Sequence, residues 1–459
     1  MNALGTLLRD ALAADGFIED GQCTPVLFAD LRRMADRIAS SLSIQGIAAD
    51  EPIHVLIGNR ATDLAALLGV WMAGGVAVPV HLGAQAATNE RLAALTQARL
   101  LVDGATVLLI SGDPPPKRDL LRGAALIVST SGSTGLPKGV VLGHAQFAAK
   151  LDVLDTLLRL RPGERVVAPL QLTFVFGLWV ALLALRSRST LALLPHFSLA
   201  ALSALIEGAA VLAAVPSTLR FMQAEGALRP PGPRLLLTGG ETLGAPLRQA
   251  IAALWAETNI HDLYGSTETG SCDFCQPGTA PMEEAGAIGR PTHGVAYRIE
   301  AAELQIRSPF GMLGYLDAPA LSEAAFQDGY FRTGDLAVQH VAGQVELVGR
   351  SKEIISRGGQ KVAPQEIDTL LGSHPEVAAA LSTGVPHASL GEVLHSVVVP
   401  RAGCAPDPAA LRDWLAKRLE RYKLPERIES VQALPVGSTG KASRALLREM
   451  LMTKQNRLT

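Results

Sequence analysis

The sequence predicts an α/β protein with a large body of βαβ units and a smaller α+β unit after it. Three observations carry that expectation. Strand-length apolar runs alternate with helix-period segments across residues 27–80, and a pair of apolar runs at 126–128 and 140–142 brackets a loop rich in glycine and hydroxyls. From Glu353 onward the pattern changes to short strands, amphipathic helices and basic residues.

Leu27, Leu31, Met34, Ile38 and Leu42 recur at steps of three and four, which predicts an amphipathic helix. A strand at Ile53–Ile57, an apolar helix at Leu64–Met72 and a strand at Val76–Val80 follow, and that order implies a parallel sheet covered by helices. Leu126–Val128 and Val140–Leu142 read as strands of the same kind. Helices are predicted at Gln365–Leu371 and Pro408–Tyr422, and no internal repeat or low-complexity run interrupts the chain.

Composition bounds the function without identifying it. The 459 residues are 48% hydrophobic and 18% charged, ample for a large core and long enough for more than one domain. Lys and Arg total 41 against 43 Asp and Glu, a balance that points away from nucleic acid and from anionic membrane surfaces. The apolar stretch Leu64–Val80 is broken by Gly74, Gly75 and Pro79, and Phe174–Leu185 falls short of the ~20 residues that span a bilayer. The first residues, MNALGTLLRDALAADG, lack a continuous apolar core, so no secretory signal is expected and a cytoplasmic location is. Four cysteines in so long a chain make no disulfide framework. Cys272 and Cys275 form a C-x-x-C, but no second ligand pair stands at zinc spacing, so structural thiols are expected over a metal or redox site.

The segment LIVSTSGSTGLPKGVVL, residues 126–142, carries the most chemistry. Between its two strands lie Ser129, Thr130, Ser131, Gly132, Ser133, Thr134, Gly135, Pro137, Lys138 and Gly139. Glycines let backbone N–H groups approach phosphate oxygens, hydroxyls add donors, and a single lysine supplies a point charge. Such a loop suits a nucleoside triphosphate. It is not a Walker loop, because Lys138 follows Pro137 and precedes Gly139 where that pattern needs Gly-Lys-Ser/Thr.

STSGSTGLPKGV resembles the phosphate-loop signature of the adenylate-forming superfamily, which contains acyl- and aryl-CoA synthetases, adenylation domains of nonribosomal peptide synthetases and firefly luciferase. Four further segments resemble its motifs in the same order: DLYGSTETG at 262–270, YFRTGDL at 330–336, GRSKEIISRGGQKVAPQEI at 349–367 and LPVGSTGKASR at 434–444. The resemblance implies that Tyr264 packs on adenine, that Thr267 reaches the α-phosphate and that Glu268 holds Mg²⁺. Asp335 and Arg350 would take the ribose. Thr130 to Gly135 with Lys138 would hold the β- and γ-phosphates, and Gly240 and Glu241 would add to the nucleotide site. Lys441 would be the catalytic lysine, Lys352 the interdomain hinge, and Gly358 and Gly359 the lining of a tunnel for a thiol.

This places an AMP-binding, adenylating domain at residues 1–351 and a mobile lid at 352–459. The implied reaction activates a small carboxylic acid with ATP and Mg²⁺, then transfers the acyl group to the thiol of coenzyme A or of a carrier protein's phosphopantetheine. Only about 45 residues separate Val80 from the phosphate loop, fewer than in many members of the superfamily, so the N-terminal part reads as trimmed.

In that superfamily the acid pocket is lined by segments corresponding here to PLQLTFVFGLWVAL, VPST and TGGETL. Amino-acid activators carry an aspartate in the first of these, and this chain has none. Phe174 stands where many acyl-CoA synthetases have histidine and so resembles benzoate-CoA ligases, which carry aromatics there; an aryl acid of hydroxybenzoate or cinnamate type is therefore expected, with Phe174, Phe176, Gly177, Ser217 and Gly239 around it. Ordinary core packing accounts equally well for Phe174 and Phe176. A short- or medium-chain aliphatic acid is the alternative, and a non-catalytic nucleotide-binding regulator the alternative of another class. Arg357, Lys361, Arg421, Lys423 and Arg427 are the cations available to an acceptor, and nothing in the sequence sets the oligomeric state.

Overall fold

The structure, a computed structural model, describes residues 3–13, 15–21, 24–131, 137–278, 287–340, 343–436 and 442–456. It is the expected α/β architecture, with a large N-terminal domain of two extended sheets and a smaller C-terminal α+β domain.

The first sheet contains the expected βαβ unit. Strands Pro52–Ile57 and Val76–His81 pair in parallel, and helix Ala61–Met72 joins them. Helix Phe28–Ile44 packs on that helix through Phe28, Leu31, Ala35, Ile38 and Leu42. Leu27 is not part of this face: it precedes the helix and is 53% exposed, while Phe28 takes the buried first-turn position. Beside Val76–His81 lies Ala124–Ser131, which pairs antiparallel with Pro137–Gly143 and places Thr130 opposite Lys138. The described ends of the predicted phosphate loop, Thr130 and Lys138, therefore face each other on paired strands of a buried sheet.

In the second sheet, Thr190–Leu193, Arg165–Ala168, Val211–Ala213, Leu235–Gly239 and Asn259–Tyr264 run parallel and adjacent in that order. Antiparallel strands Phe274–Gln276, Ala287–Pro291, Val345–Arg350, Tyr330–Gln339, Glu303–Arg307 and Ala296–Glu300 extend it. Helix Val175–Arg186 fills the space between the sheets, with every residue from Leu178 to Leu185 buried. Among the described residues no helix is long and apolar enough to cross a membrane.

From Ile355 onward the chain builds its own core of Ile355, Val362, Ile367, Leu371, Val377, Leu394, Val398, Leu411 and Leu415. Helix Pro408–Ala416 is shorter than the expected Pro408–Tyr422. Pro425 holds Leu424 extended, and the preceding Arg421–Lys423 turn carries Tyr422 back onto this core.

Burial also sets an acid limit on stability. His144 opens helix His144–Leu158, is 6% exposed, lies edge-on to Trp71 at 6.1 Å, and has no partner for Nδ1 among the described residues. Burial lowers its pKa from 6.5 to about 4. The unfolded chain therefore binds the proton that the folded chain refuses, and the stabilisation present above pH 6.5 is lost as pH falls towards 4. That is about 3 kcal/mol for this ring. Urea unfolding at pH 4.5 and 7.5 is expected to show a smaller acid-induced loss in His144→Gln than in the native chain. An identical loss in both proteins would contradict this assignment. Asp262, raised by burial to about 7, contributes with the opposite sign in both proteins and cancels in the comparison.

Candidate active site

Because four of the parallel strands are adjacent, the segments leaving their C-terminal ends share one edge. Tyr264, Gly239 to Glu241, Val215 to Thr218 and Leu170 to Phe174 stand there together, where open α/β sheets place ligands.

At one end of this edge, the antiparallel register sets Asp335 opposite Arg350. Asp335 Oδ1 lies 2.7 Å from Arg350 Nε, and the Tyr264 hydroxyl donates to Asp335 Oδ2 at 2.6 Å. The Asp335 backbone N–H donates to Thr333 Oγ1 at 3.0 Å, which fixes the carboxylate's approach. Asp335 is buried, whereas the Arg350 side chain is 63% exposed, so a carboxylate and a guanidinium meet at the boundary between core and solvent. The Asp335 charge raises the Arg350 pKa, and burial followed by the same carboxylate raises that of Tyr264.

The turn after Tyr264 carries Thr267 and Glu268. Tyr315 donates its hydroxyl to Glu268 Oε1 at 3.1 Å, and Lys138 Nζ stands 5.0 Å from the centre of the Tyr315 ring. Gly314–Tyr315 is a two-residue strand paired to Pro137–Gly143, so Tyr315 couples the phosphate hairpin to the Thr267–Glu268 turn. The Met312 N–H fixes the Glu268 carbonyl at 2.8 Å. Tyr315 was not singled out by the sequence reading, because GYLD has no spacing that sets it apart from core. Thr267 is half-buried and makes no side-chain hydrogen bond to a described residue. Gly132, Ser133, Thr134, Gly135 and Lys441 lie outside the described residues, and Ser131 is described in its backbone only. The Lys441 loop is bracketed by a bridge between Val436 and Ala442.

Residues 17–316 match the AMP-binding enzyme family, and residues 366–441 match the AMP-binding enzyme C-terminal domain. The chain belongs to the AMP-binding enzymes. It is a ligase of the adenylate-forming superfamily. Sulfoacetate–CoA ligase of Cupriavidus necator is 29% identical to it over 92% of this chain and 91% of that protein. The fatty acid–[acyl-carrier-protein] ligase ScoC of Streptomyces coeruleorubidus is 28% identical, again over 92% of this chain and 91% of that one. The anthranilate CoA ligase AuaEII, solved with anthranoyl-AMP, superposes with a TM-score of 0.86 at 20% identity, over 99% of this chain and 98% of that one.

In this AMP-binding enzyme the expected pocket residues divide. Phe174 precedes helix Val175–Arg186 and is 37% exposed, whereas Phe176 packs on Trp179 with ring centres 5.2 Å apart. Gly177 and Gly239 are explained by backbone packing: a Cβ would come within 2.4 Å of the Gln171 carbonyl oxygen at Gly177 and 2.5 Å of the Leu263 carbonyl oxygen at Gly239. Ser217 donates to Glu241 Oε1 at 2.9 Å, and Arg220 takes Glu241 Oε2 at 2.8 Å. Glu241 thus has both oxygens committed within the protein, and Gly240 beside it adopts φ +81°.

Lys352 sits in the 3₁₀ turn Ser351–Glu353, directly after the strand that ends at Arg350. Gly358 and Gly359, at φ +55° and +82°, are the two-residue turn of the hairpin Ile355–Arg357 and Gln360–Val362, a turn that needs positive φ at both positions. The Thr242 hydroxyl beside Glu241 accepts from Gln365 Nε2 at 3.3 Å, a contact between body and C-terminal domain. Cys272 and Cys275 are buried, and burial raises the Cys272 thiol to about 12. No group of three or more metal-ligating side chains occurs among the described residues.

Proposed function

We propose that this enzyme uses ATP and Mg²⁺ to convert an aryl carboxylic acid to its acyl-AMP and then transfers the acyl group to a pantetheine thiol, with coenzyme A as the acceptor. The observation that carries the reading is the arrangement of Tyr264–Asp335–Arg350 and Lys138–Tyr315–Glu268 on two sides of one short turn. The first group presents an aromatic ring, a buried carboxylate and an exposed guanidinium, which suit adenine and ribose. The second presents one ammonium and one carboxylate, which suit phosphates and their counterion.

In the first half-reaction a carboxylate oxygen attacks the α-phosphorus of ATP and pyrophosphate leaves. Both reactants are anions, so the protein's task is to neutralise charge more than to move protons. Thr267, whose side chain bonds to none of the described residues, lies next to Glu268 and would donate to the α-phosphate. Lys138 and the hairpin tip would hold the leaving phosphates, and Lys441 would bridge carboxylate and phosphate. The donor set fits Mg²⁺, which is commonly bound through one or two carboxylates and substrate phosphates, with Glu268 as the carboxylate. Its chemistry there is to offset charge on the phosphate oxygens. In the second half-reaction the domain beyond residue 351 would turn at Lys352, remove Lys441 and bring the Gly358–Gly359 turn to the thiol.

The named acids of the relatives differ in kind, so the pocket residues must choose among them. The segment PLQLTFVFGLWVAL has no aspartate to pair with a substrate ammonium, and Phe174 offers an exposed ring at the edge. For the acceptor, Arg357 and Lys423 are already committed, to Tyr422, Leu424 and Glu426 and to Glu366 and Glu420. Arg421 and Arg427 are exposed and suit the 3′-phosphate of coenzyme A.

ATP–pyrophosphate exchange across a panel of acids tests the acid without requiring an acceptor. Exchange is expected to be strongest with an aryl acid and near background with common α-amino acids, and a preference for octanoate over every benzoate would overturn the aryl assignment. Single-turnover transfer from preformed acyl-AMP tests the acceptor. Saturation at micromolar coenzyme A is expected, and turnover only with a carrier protein, weakening as salt rises, would overturn it.

A further inference from the structure

Lys150 lies within helix His144–Leu158 and is 1% exposed. Its ammonium donates to the Cys272 carbonyl at 2.8 Å, reaches Thr292 Oγ1 at 3.5 Å, and stands 3.9 Å from Asp273 Oδ1 and 5.0 Å from the centre of the Phe310 ring. Asp273 is also fully buried, and its Oδ1 accepts no hydrogen bond from a described residue, so the ammonium is its counter-charge. Thr269 donates to the other oxygen, Asp273 Oδ2, and lies 3.1 Å from Ser266 Oγ. Thr267 and Glu268 are the residues between Ser266 and Thr269.

The backbone this ammonium meets is strained. Gly270, Ser271 and Cys272 follow one another at φ +90°, +67° and +50°, and two of the three are not glycine. Each such residue costs of order 1 kcal/mol and persists only where surrounding contacts over-determine it. The turn is also tightly closed, since Asp273 N donates to the Tyr264 carbonyl at 2.7 Å and Ser271 N to the Ser266 carbonyl at 2.8 Å. A methionine would fill the space of Lys150 without the cost of burying a charge. What the ammonium adds is a directed bond to a carbonyl in left-handed backbone and a counter-charge for the carboxylate that orders Thr269.

We propose that Lys150 is a positioning residue for the phosphate- and metal-binding turn: it holds the Gly270–Asp273 segment in its strained path and, through Asp273, Thr269 and Ser266, sets the placement of Thr267 and Glu268. This rests on the functional reading of that turn given above. Lys150 touches no reacting atom, so its loss raises the requirement for ATP and Mg²⁺ and leaves acid binding alone.

The test measures ATP–pyrophosphate exchange against ATP, Mg²⁺ and acid in Lys150→Met and in Lys150→Met/Asp273→Asn. The double variant removes both buried charges, so it keeps the fold if the single variant leaves Asp273 too costly to bury. A tenfold or greater rise in the KM for ATP and in the Mg²⁺ concentration for half-maximal exchange is expected in the double variant, with the KM for the acid within twofold of native. Native ATP and Mg²⁺ requirements in the folded double variant, or equal losses in all three constants, overturn the proposal. Glu268→Gln, measured in parallel, separates the two levels of inference. If that variant keeps the native Mg²⁺ dependence, the reading of the turn fails. If Glu268→Gln is impaired while the Lys150 variants are native, only the positioning role fails.

Discussion

Replacing Lys441 with alanine is expected to lower ATP–pyrophosphate exchange about 100-fold or more while leaving thioester formation from supplied acyl-AMP largely intact. The magnitude follows from removing one preorganised charge donor at a reaction between two anions, which costs ~3 to 4 kcal/mol in the transition state. The asymmetry between half-reactions follows from the proposed turn of the C-terminal domain, which takes Lys441 away before the thiol enters. Rapid-quench measurement of each half-reaction checks it. Equal loss in both would argue against separate positions of that domain, and native exchange would remove Lys441 from the mechanism.

The second large effect is expected at Asp335. Its carboxylate accepts the Tyr264 hydroxyl at 2.6 Å and faces Arg350 at 2.7 Å, so Asp335→Ala removes a proposed ribose contact and frees the two groups flanking it. Hydrogen bonds to a charged group contribute about 1.5–3 kcal/mol each, and two of them lost to the ribose amount to a rise of about 100-fold or more in the KM for ATP. The KM for the acid is expected to stay within twofold. A shift confined to kcat, or one shared equally by both substrates, would place Asp335 outside the nucleotide site. A melting curve of the same variant reads the structural part separately, because an unpaired Tyr264 hydroxyl costs about 1–3 kcal/mol wherever it remains buried.

Both predictions concern residues legible in the chain because their chemistry is packed into short segments. The phosphate hairpin is an instance: eight serine, threonine and glycine residues with one lysine between two apolar strands announce a loop, and the sheet register then pairs Thr130 with Lys138. The βαβ unit was equally legible, since its periodicity depends only on which faces are buried. The Pro408 helix was read too long because apolar spacing continues past Ala416: Leu419 and Tyr422 pack on the same core from beyond the helix end.

By itself the sequence determined the α/β class, the order of the motifs and the family to which their residues point, all of which reside in local spacing and residue type. Only the tertiary structure decided what those residues touch. Tyr315 meets Glu268 across 47 positions, Tyr264 meets Asp335 across 71, and Lys150 meets the Cys272 carbonyl across 122. It also gave Gly177 and Gly239 close backbone neighbours, set Gly358 and Gly359 in a hairpin turn, and tied Ser217 to Glu241. The physical reason is the same in each case. A glycine, a serine or a lysine has one identity in the chain, but its energetic role is set by the burial and the partner that packing supplies, and those come from segments far away in sequence.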